Sequence, residues 1–156
     1  MSEFSYNYLP DNTYKIIFSS MPNLTFYTQE FTMPSLSIPT VESGFPGNNY
    51  KSTSGQLSID DVTISFILDE NMAAYFEIYD WLKKINQYSG TQQPPLTYSD
   101  ITVLPFNATS SSIAKRITLR DCFPNRLGQL TFRTTSGDTE YLVCDASFAV
   151  TDIEVR

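Results

Sequence analysis

Histidine is absent from this chain of 156 residues. Its absence removes the side chain that most often serves as a general base and as a metal ligand. The sequence also lacks the Gly-x-Ser-x-Gly motif of serine hydrolases and a glycine-rich phosphate loop. Serine–lysine chemistry stays open on composition alone. We nevertheless predict that the protein is not an enzyme and that it holds no metal and no cofactor.

Two pairs of neighbouring carboxylates are the remaining catalytic candidates, Asp60-Asp61 and Asp69-Glu70. Adjacent residues of a strand point to opposite faces, so Asp60 and Asp61 are not expected to share a substrate. Entry into a strand explains the first pair, and entry into a helix explains the second. We therefore predict structural roles for these carboxylates.

Cysteine is scarce as well, with only Cys122 and Cys144 in the chain. Two isolated cysteines without a Cys-x-x-Cys motif do not form a zinc site. A disulfide between them stays open, but burial as free thiols is the favoured prediction. The N-terminus lacks the pattern of a signal peptide, and no apolar run approaches the length of a membrane span. We expect a soluble, non-secreted protein with no membrane partner.

Basic residues are few, because 10 Lys and Arg stand against 17 Asp and Glu, which gives a net charge of −7. Residues 1–80 contain only Lys15 and Lys51 as bases, whereas residues 81–156 hold the other Lys and Arg. This imbalance is typical of a solvated surface, and it also suits head-to-tail assembly of an acidic face with a more basic one. Nucleic-acid binding is disfavoured, because it needs a basic patch.

Aromatic residues are plentiful instead, with 11 Phe, 10 Tyr and one Trp. Alternation of apolar and polar residues predicts half-buried strands. The predicted strands cover residues 14–19, 24–31, 35–41, 62–68, 101–106, 113–120, 129–134 and 141–155. The first two are expected to pair as a hairpin, and the last is long enough that we expect a bend, a bulge or an end that pairs outside the domain.

One helix is predicted over about 70–88, where apolar residues recur at helical spacing and Asp69 or Asn71 is placed to cap it. Its apolar stripe is expected to be core, with its outer residues as a possible contact for a partner. The fold prediction is a single mainly β domain over residues 1–156. It is an antiparallel β-barrel or sandwich of about seven or eight strands with one flanking α-helix.

The longest predicted loop covers about residues 42–56, which are rich in Gly, Asn and Ser. Phe45 and Tyr50 lie inside it, next to Lys51. Aromatic residues in such a loop either dock on a partner or fold back on their own domain. We predict that Phe45, Tyr50 and Lys51 make contacts between subunits or between rings of subunits.

Residues 117–132 alternate, break at a Pro-Asn…Gly pattern and alternate again. This pattern predicts a corner between two strands, shaped by Pro124 and Gly128. A corner of this kind builds a sheet and carries no chemistry.

Two segments, in this order, resemble one known family. The first reads Asp60-Asp-Val-Thr-Ile-Ser-Phe-Ile-Leu-Asp-Glu70 and leads into an aromatic helix that reaches Asp80-Trp81. The second runs from Pro124 to Leu130 and has the pattern Pro-x-x-Leu-Gly-x-Leu. With Met33-Pro34-Ser35 and the final strand, they make residues 24–153 similar to the tail tube protein of contractile-tailed bacteriophages. That family is related to the type VI secretion tube protein.

The resemblance implies a structural virion protein whose hexameric rings stack into the inner tail tube. DNA would pass through this tube during ejection without sequence-specific binding. The implied partners are further copies of the chain and the tail sheath, baseplate, tape measure and tube terminator proteins, in a virion assembled in the host cytoplasm. Two alternatives are a type VI-like secretion tube subunit and a tube-initiating baseplate protein. A small carbohydrate-binding β-sandwich is an alternative from another class.

Overall fold

The computed structural model describes residues 9–53, 55–87, 98–106, 113, 115–134, 137–138 and 140–156. Within them, eleven strands and two helices follow one another along the chain. The strands are β1 (Tyr14–Phe18), β2 (Thr28–Thr32), β3 (Leu36–Ser37), β4 (Thr40–Phe45), β5 (Asn48–Thr53), β6 (Ser58–Ile59), β7 (Val62–Ile67), β8 (Ser99–Pro105), β9 (Ile117–Leu127), β10 (Val143–Ala149) and β11 (Asp152–Val155). The helices are α1 (Pro22–Tyr27) and α2 (Ala73–Gln87).

Seven of these strands form one antiparallel sheet in the order β1-β8-β9-β10-β7-β2, with β11 also paired to β9. Strand β9 lies in the middle of this order and contributes to both halves of the sheet. Its residues 117–122 pair with β8, and 117–120 also pair with β11, whereas its residues 123–127 pair with β10. We call β1, β8, β11 and the first half of β9 the back sheet. The second half of β9, β10, β7 and β2 form the front sheet.

Side chains of the two sheets meet in one hydrophobic core. Phe18 of the back sheet and Phe148 of the front sheet lie with ring centroids 5.9 Å apart. The alternation read from the sequence is confirmed in β7, where Val62, Ile64 and Phe66 are completely buried. The mainly β prediction is therefore confirmed, in the form of two sheets over a shared core. The edge strands β1 and β2 do not pair, so the sheet is not closed into a barrel.

The bend that separates the two sheets lies at Asp121 and not at the predicted Pro124–Gly128 corner. Asp121 has a positive φ of 51°, and the carboxylate of Asp100 accepts hydrogen bonds from its backbone N–H and from Arg120, both at 3.1 Å. Strand β9 continues through Pro124, because Asn125 forms a bulge there and a bulge tolerates the missing proline N–H. The strand predicted at 129–134 is wrong, since no described residue of that segment is in a strand.

Helix α2 lies within the segment predicted to be helical; residue 88, its predicted end, lies outside the described residues. The Asp69 carboxylate accepts a hydrogen bond of 2.8 Å from the backbone N–H of Ala73, which confirms Asp69 as a cap. Ala74 and Ile78 are its fully buried residues, so only part of the predicted stripe is core.

The strand predicted over 24–31 is confirmed for residues 28–31, which belong to β2, but it is wrong for residues 24–27 and for the pairing with 14–19. Residues Pro22–Tyr27 form helix α1, β1 pairs with β8, and β2 pairs with β7. The cause is tertiary: the Glu77 carboxylate of α2 accepts hydrogen bonds from the Asn23 side chain and the Leu24 backbone N–H, at 2.9 and 3.3 Å. A negative charge at a helix N-terminus stabilises a segment whose β-branched and aromatic residues favour a strand. The final predicted strand is interrupted, as expected, into β10 and β11.

Candidate assembly surfaces

The predicted loop over 42–56 is in fact a β-hairpin formed by β4 and β5. Six residue pairs join the strands, and Gly47 supplies the positive φ of 95° that the tight connection needs. Every residue of the two strands is exposed except Ser52, which is half-buried. The hairpin is therefore an ordered arm that the described residues of its own chain leave exposed.

The register of this hairpin makes it amphipathic. Ser43 lies opposite Tyr50, and Phe45 lies two residues further on the same face, which Val41 also shares. The side chains of Phe45 and Tyr50 are exposed by 68% and 65%. The structure thus brings the two predicted aromatic contacts together on one face of the arm.

Lys51, the third predicted contact residue, lies on the opposite, polar face of the hairpin. Its ammonium group is 3.1 Å from a carboxylate oxygen of Glu42, directly across the two strands. Both side chains are more than half exposed, so this pair adds at most about 1 kcal/mol to stability. The charged pair therefore lies on the face opposite to Val41, Phe45 and Tyr50.

The outer face of the front sheet is polar and rich in hydroxyl groups. One row across the strands consists of Thr32, Thr63, Ser147 and Arg126, and the next row contains Glu30, Ser65 and Asp145. Ser65 donates a hydrogen bond of 2.6 Å to Asp145. The sequence pattern indicates this face, since polar residues alternate with the buried ones in β7 and β10.

The front sheet has two open edges. Strand β2 ends the sheet order, and residues 123–127 of β9 pair with β10 on one side and with no described strand on the other. At the start of β2, the Tyr14 hydroxyl donates a 3.0 Å hydrogen bond to the carbonyl of Gln29. An open strand edge presents unpaired N–H and C=O groups and favours pairing with another chain.

Helix α2 exposes an aromatic surface beside the open edge of β9. Phe76 contacts both Tyr75 and Tyr79 edge to face, and the ammonium group of Lys83 lies 5.5 Å from the centroid of the Tyr79 ring. A groove of about 530 Å³ separates this helix from residues 125–127 of β9. Phe76 and Tyr79 are exposed, so they lie outside the face of the helix that packs on the core.

Pro124 and Gly128 shape the front sheet in other ways than a turn. Pro124 is buried opposite Phe148, next to the bulge in β9. Gly128 donates its N–H to the carbonyl of Asp145 over 2.6 Å, and a Cβ at this position would lie 2.7 Å from that same oxygen. Glycine is thus required by a close approach of two backbones.

Three of the four carboxylates considered as catalytic candidates, Asp60, Asp61 and Asp69, have separate structural partners. The Ser35 hydroxyl donates to Asp60, and the Asn125 amide donates to Asp61 over 2.7 Å. Among the residues described, no three acidic or cysteine side chains are grouped as metal ligands would be. Neither described helix is both long and apolar enough to cross a membrane.

Cys122 and Cys144 are both buried as free thiols, as predicted. Burial, reinforced by the nearby Asp100 carboxylate, raises the pKa of the Cys122 thiol to about 12. Burial likewise raises the pKa of Cys144. Because the thiolate is the reactive form, both side chains act as small apolar core residues.

Solved structures share this fold over almost the whole chain. A chain of the PVC sheath-tube complex, an extracellular contractile injection system in its extended state, matches with a TM-score of 0.70 and 18% identity over 97% of this chain and 93% of that chain. A chain of the tube terminating cap of the anti-feeding prophage matches with a TM-score of 0.71 and 16% identity over 99% of this chain and 95% of that chain. This protein has the fold of injection-system tube proteins.

A third solved structure has the same fold. Hcp1 from Flavobacterium johnsoniae matches with a TM-score of 0.55 and 12% identity over 92% of this chain and 94% of that chain. No family model matches the sequence, and no curated protein matches it. The fold therefore confirms the resemblance seen in the sequence, although at most 18% of the residues are identical in the structures named here.

Proposed function

We propose that the protein is the subunit of a tube, in which copies of the chain form rings and the rings stack. The observation that carries the proposal is the front sheet, which combines a polar outer face with two open edges. A catalytic role has no support from the described side chains, because Asp60, Asp61 and Asp69 bind separate structural partners and the cysteines are buried. The shared fold with chains of sheath-tube and tube-cap assemblies supports the same proposal.

In this proposal the rings close by pairing the open edge of β2 with the open edge of β9 in the next copy. The front sheet contains four strands that alternate in direction, so β2 of one copy runs antiparallel to β9 of a neighbour related by rotation. The strand alternation then continues through every subunit boundary. Such heterologous contacts close into a ring and remove the exposed edges.

The polar outer face of the front sheet lines the channel in this arrangement. Its acids, Glu30 and Asp145, outnumber its one base, Arg126, so the named charges of this face stay net negative even when Glu30 and Arg126 pair, while binding of DNA needs cationic neutralisation. We therefore propose that the tube conducts DNA during ejection from a virion. A secretion tube that carries protein is the alternative, and the genes next to this one would discriminate between the two.

The exposed β4–β5 hairpin bridges to a neighbouring subunit or to the next ring. Phe45 and Tyr50 would be its anchors, because burying these large exposed aromatic side chains against a partner would remove the most apolar surface from water. The sheath, tube terminator, baseplate and tape measure proteins are the proposed further partners in a virion tail. The aromatic surface of α2 is the proposed contact with a sheath.

Measurement of the native mass of the purified chain, together with negative-stain images, tests the proposal. We expect ring-shaped particles of several times the 17.7 kDa chain mass, which stack at higher protein concentration. A monomer at every concentration and ionic strength would contradict the tube assignment. Rings that never stack would support the proposed ring but contradict the proposed tube.

A further inference from the structure

We infer that Glu30 of one copy forms an ion pair with Arg126 of the next and that this pair selects ring closure over other edge pairings. The inference rests on the proposed function and adds to it a residue pair that determines which edges meet. The front sheet has two open edges, and each edge carries one charged residue on the same outer face.

Glu30 is the charged residue of the β2 edge. It lies opposite Ser65 in the register of β2 and β7, so its side chain is on the polar outer face. It is exposed and forms no ion pair with any described residue. Asp145, the other acid of this face, already accepts a hydrogen bond from Ser65. Glu30 is therefore the free carboxylate at the outermost strand of the front sheet.

Arg126 is the charged residue of the β9 edge. It lies opposite Ser147, which places its side chain on the same outer face as Glu30. It is exposed, and within the described parts of the chain it has no acidic partner. A guanidinium group in such a position is a strong donor for a carboxylate from a neighbouring chain.

The rows of the sheet bring these two residues within reach across a subunit boundary. Arg126 shares its row with Thr32, and Glu30 belongs to the adjacent row of the same strand β2. If the rows run straight on into the next copy, Glu30 is the diagonal neighbour of Arg126, a separation of about 7–8 Å between backbones that long side chains span. A stagger of two residues between copies makes them direct neighbours.

The charges also discriminate against the competing assemblies. Two copies joined through their β2 edges would place both Glu30 side chains along one seam, and two copies joined through β9 would do the same with Arg126. Like charges along a seam are unfavourable, whereas only the β2-to-β9 pairing opposes unlike charges. The first two pairings close a dimer, and the third continues into a ring.

Charge reversal tests this inference. Glu30→Arg and Arg126→Glu should each raise the protein concentration needed for half-maximal ring assembly by about tenfold or more, and the double variant should restore it. Two exposed residues away from these edges provide matched controls, Glu70→Arg and Arg133→Glu, which change the net charge equally. Unfolding midpoints of the monomers check that every variant is folded.

The outcomes separate this inference from the proposed function. Impaired single variants with a restored double variant would support the Glu30–Arg126 pair. If the wild type forms rings but the single variants behave like the controls, or the double variant is no better than the single ones, the pair is wrong and the tube assignment stands. If the wild type forms no rings at all, the proposed function and the inference fall together.

Discussion

The β4–β5 hairpin and the β7–β10 pair of the front sheet are both regular antiparallel ladders, yet they differ in what covers them. In β7 and β10, alternate residues such as Phe66 and Phe148 are completely buried in the core. In the hairpin, Phe45 and Tyr50 are equally aromatic but remain about two-thirds exposed. The first ladder stabilises the domain, and the second presents apolar surface to the outside.

The same residue types therefore serve two purposes in the chain. Burial of an aromatic side chain in the core contributes to folding. An isolated two-stranded ladder is marginally stable in water, and none of the described core residues belongs to the hairpin. We infer that the hairpin is retained for a contact that another chain completes. The following variants test whether the two regions can be separated in this way.

The largest difference is expected between Phe66→Ala and Phe45→Ala. Removal of the buried Phe66 ring leaves a cavity and should lower the free energy of unfolding by about 3–5 kcal/mol. Phe45→Ala removes an exposed ring and should change it by less than about 0.5 kcal/mol. Urea unfolding of the monomer measures both. Similar losses in the two variants would mean that the hairpin is part of the folding unit.

Two glycines give the next contrast. Gly128→Ala places a methyl group against the Asp145 backbone and should cost about 1–3 kcal/mol in stability. Gly44→Ala in the hairpin meets its nearest atom at 3.9 Å, so we expect stability equal to or slightly above that of the wild type. The same unfolding measurement applies. A neutral Gly128→Ala would show that the two backbones separate easily.

A smaller effect is expected at the start of α2. Asp69→Ala leaves the Ala73 N–H without its acceptor and should lower stability by about 1 kcal/mol. Glu42→Gln weakens the exposed ion pair of the hairpin and should cost less than about 0.5 kcal/mol. Thermal unfolding followed by circular dichroism compares the two. Equal effects would remove the distinction between a structural cap and a surface pair.

The smallest expected effect depends on pH. The guanidinium of Arg120 donates hydrogen bonds of 2.9 and 2.6 Å to Glu154, and these bonds, with a further one from Arg156, lower the pKa of that carboxyl. The resulting stability is complete above the ordinary carboxyl pKa and is lost as pH falls through the lowered folded value. The difference in unfolding midpoint between wild type and Glu154→Gln should therefore shrink on acidification. A constant difference would assign the effect to packing.

Periodicity in the sequence predicted the strands with one buried face, because alternation in β7 and β10 follows directly from burial. It did not predict α1, where the Glu77 carboxylate on a distant helix decides the local conformation. Nor did it locate the bend at Asp121, since Pro124 is a stronger turn signal than an aspartate with a left-handed backbone. These errors arise where tertiary contacts override local preference.

The candidate site was predicted in part. Aromatic residues among Gly and Asn drew attention to Phe45 and Tyr50, but their common face depends on a register that composition does not reveal. Glu30 and Arg126 carried no signal of their own in the sequence. Their significance depends on strand order, because β2 and β9 are far apart along the chain and form the two edges of one sheet.

The double variant Phe45→Ala/Tyr50→Ala tests whether the hairpin serves assembly and not folding, with stability and assembly measured on the same sample. At dilutions where the protein is monomeric, we expect an unfolding midpoint equal to that of the wild type. At concentrations where the wild type forms rings and stacks, we expect the variant to assemble poorly, because both anchors of the hairpin are gone. Normal assembly, or a monomer destabilised as strongly as by a core substitution, would contradict a role of the hairpin in assembly alone.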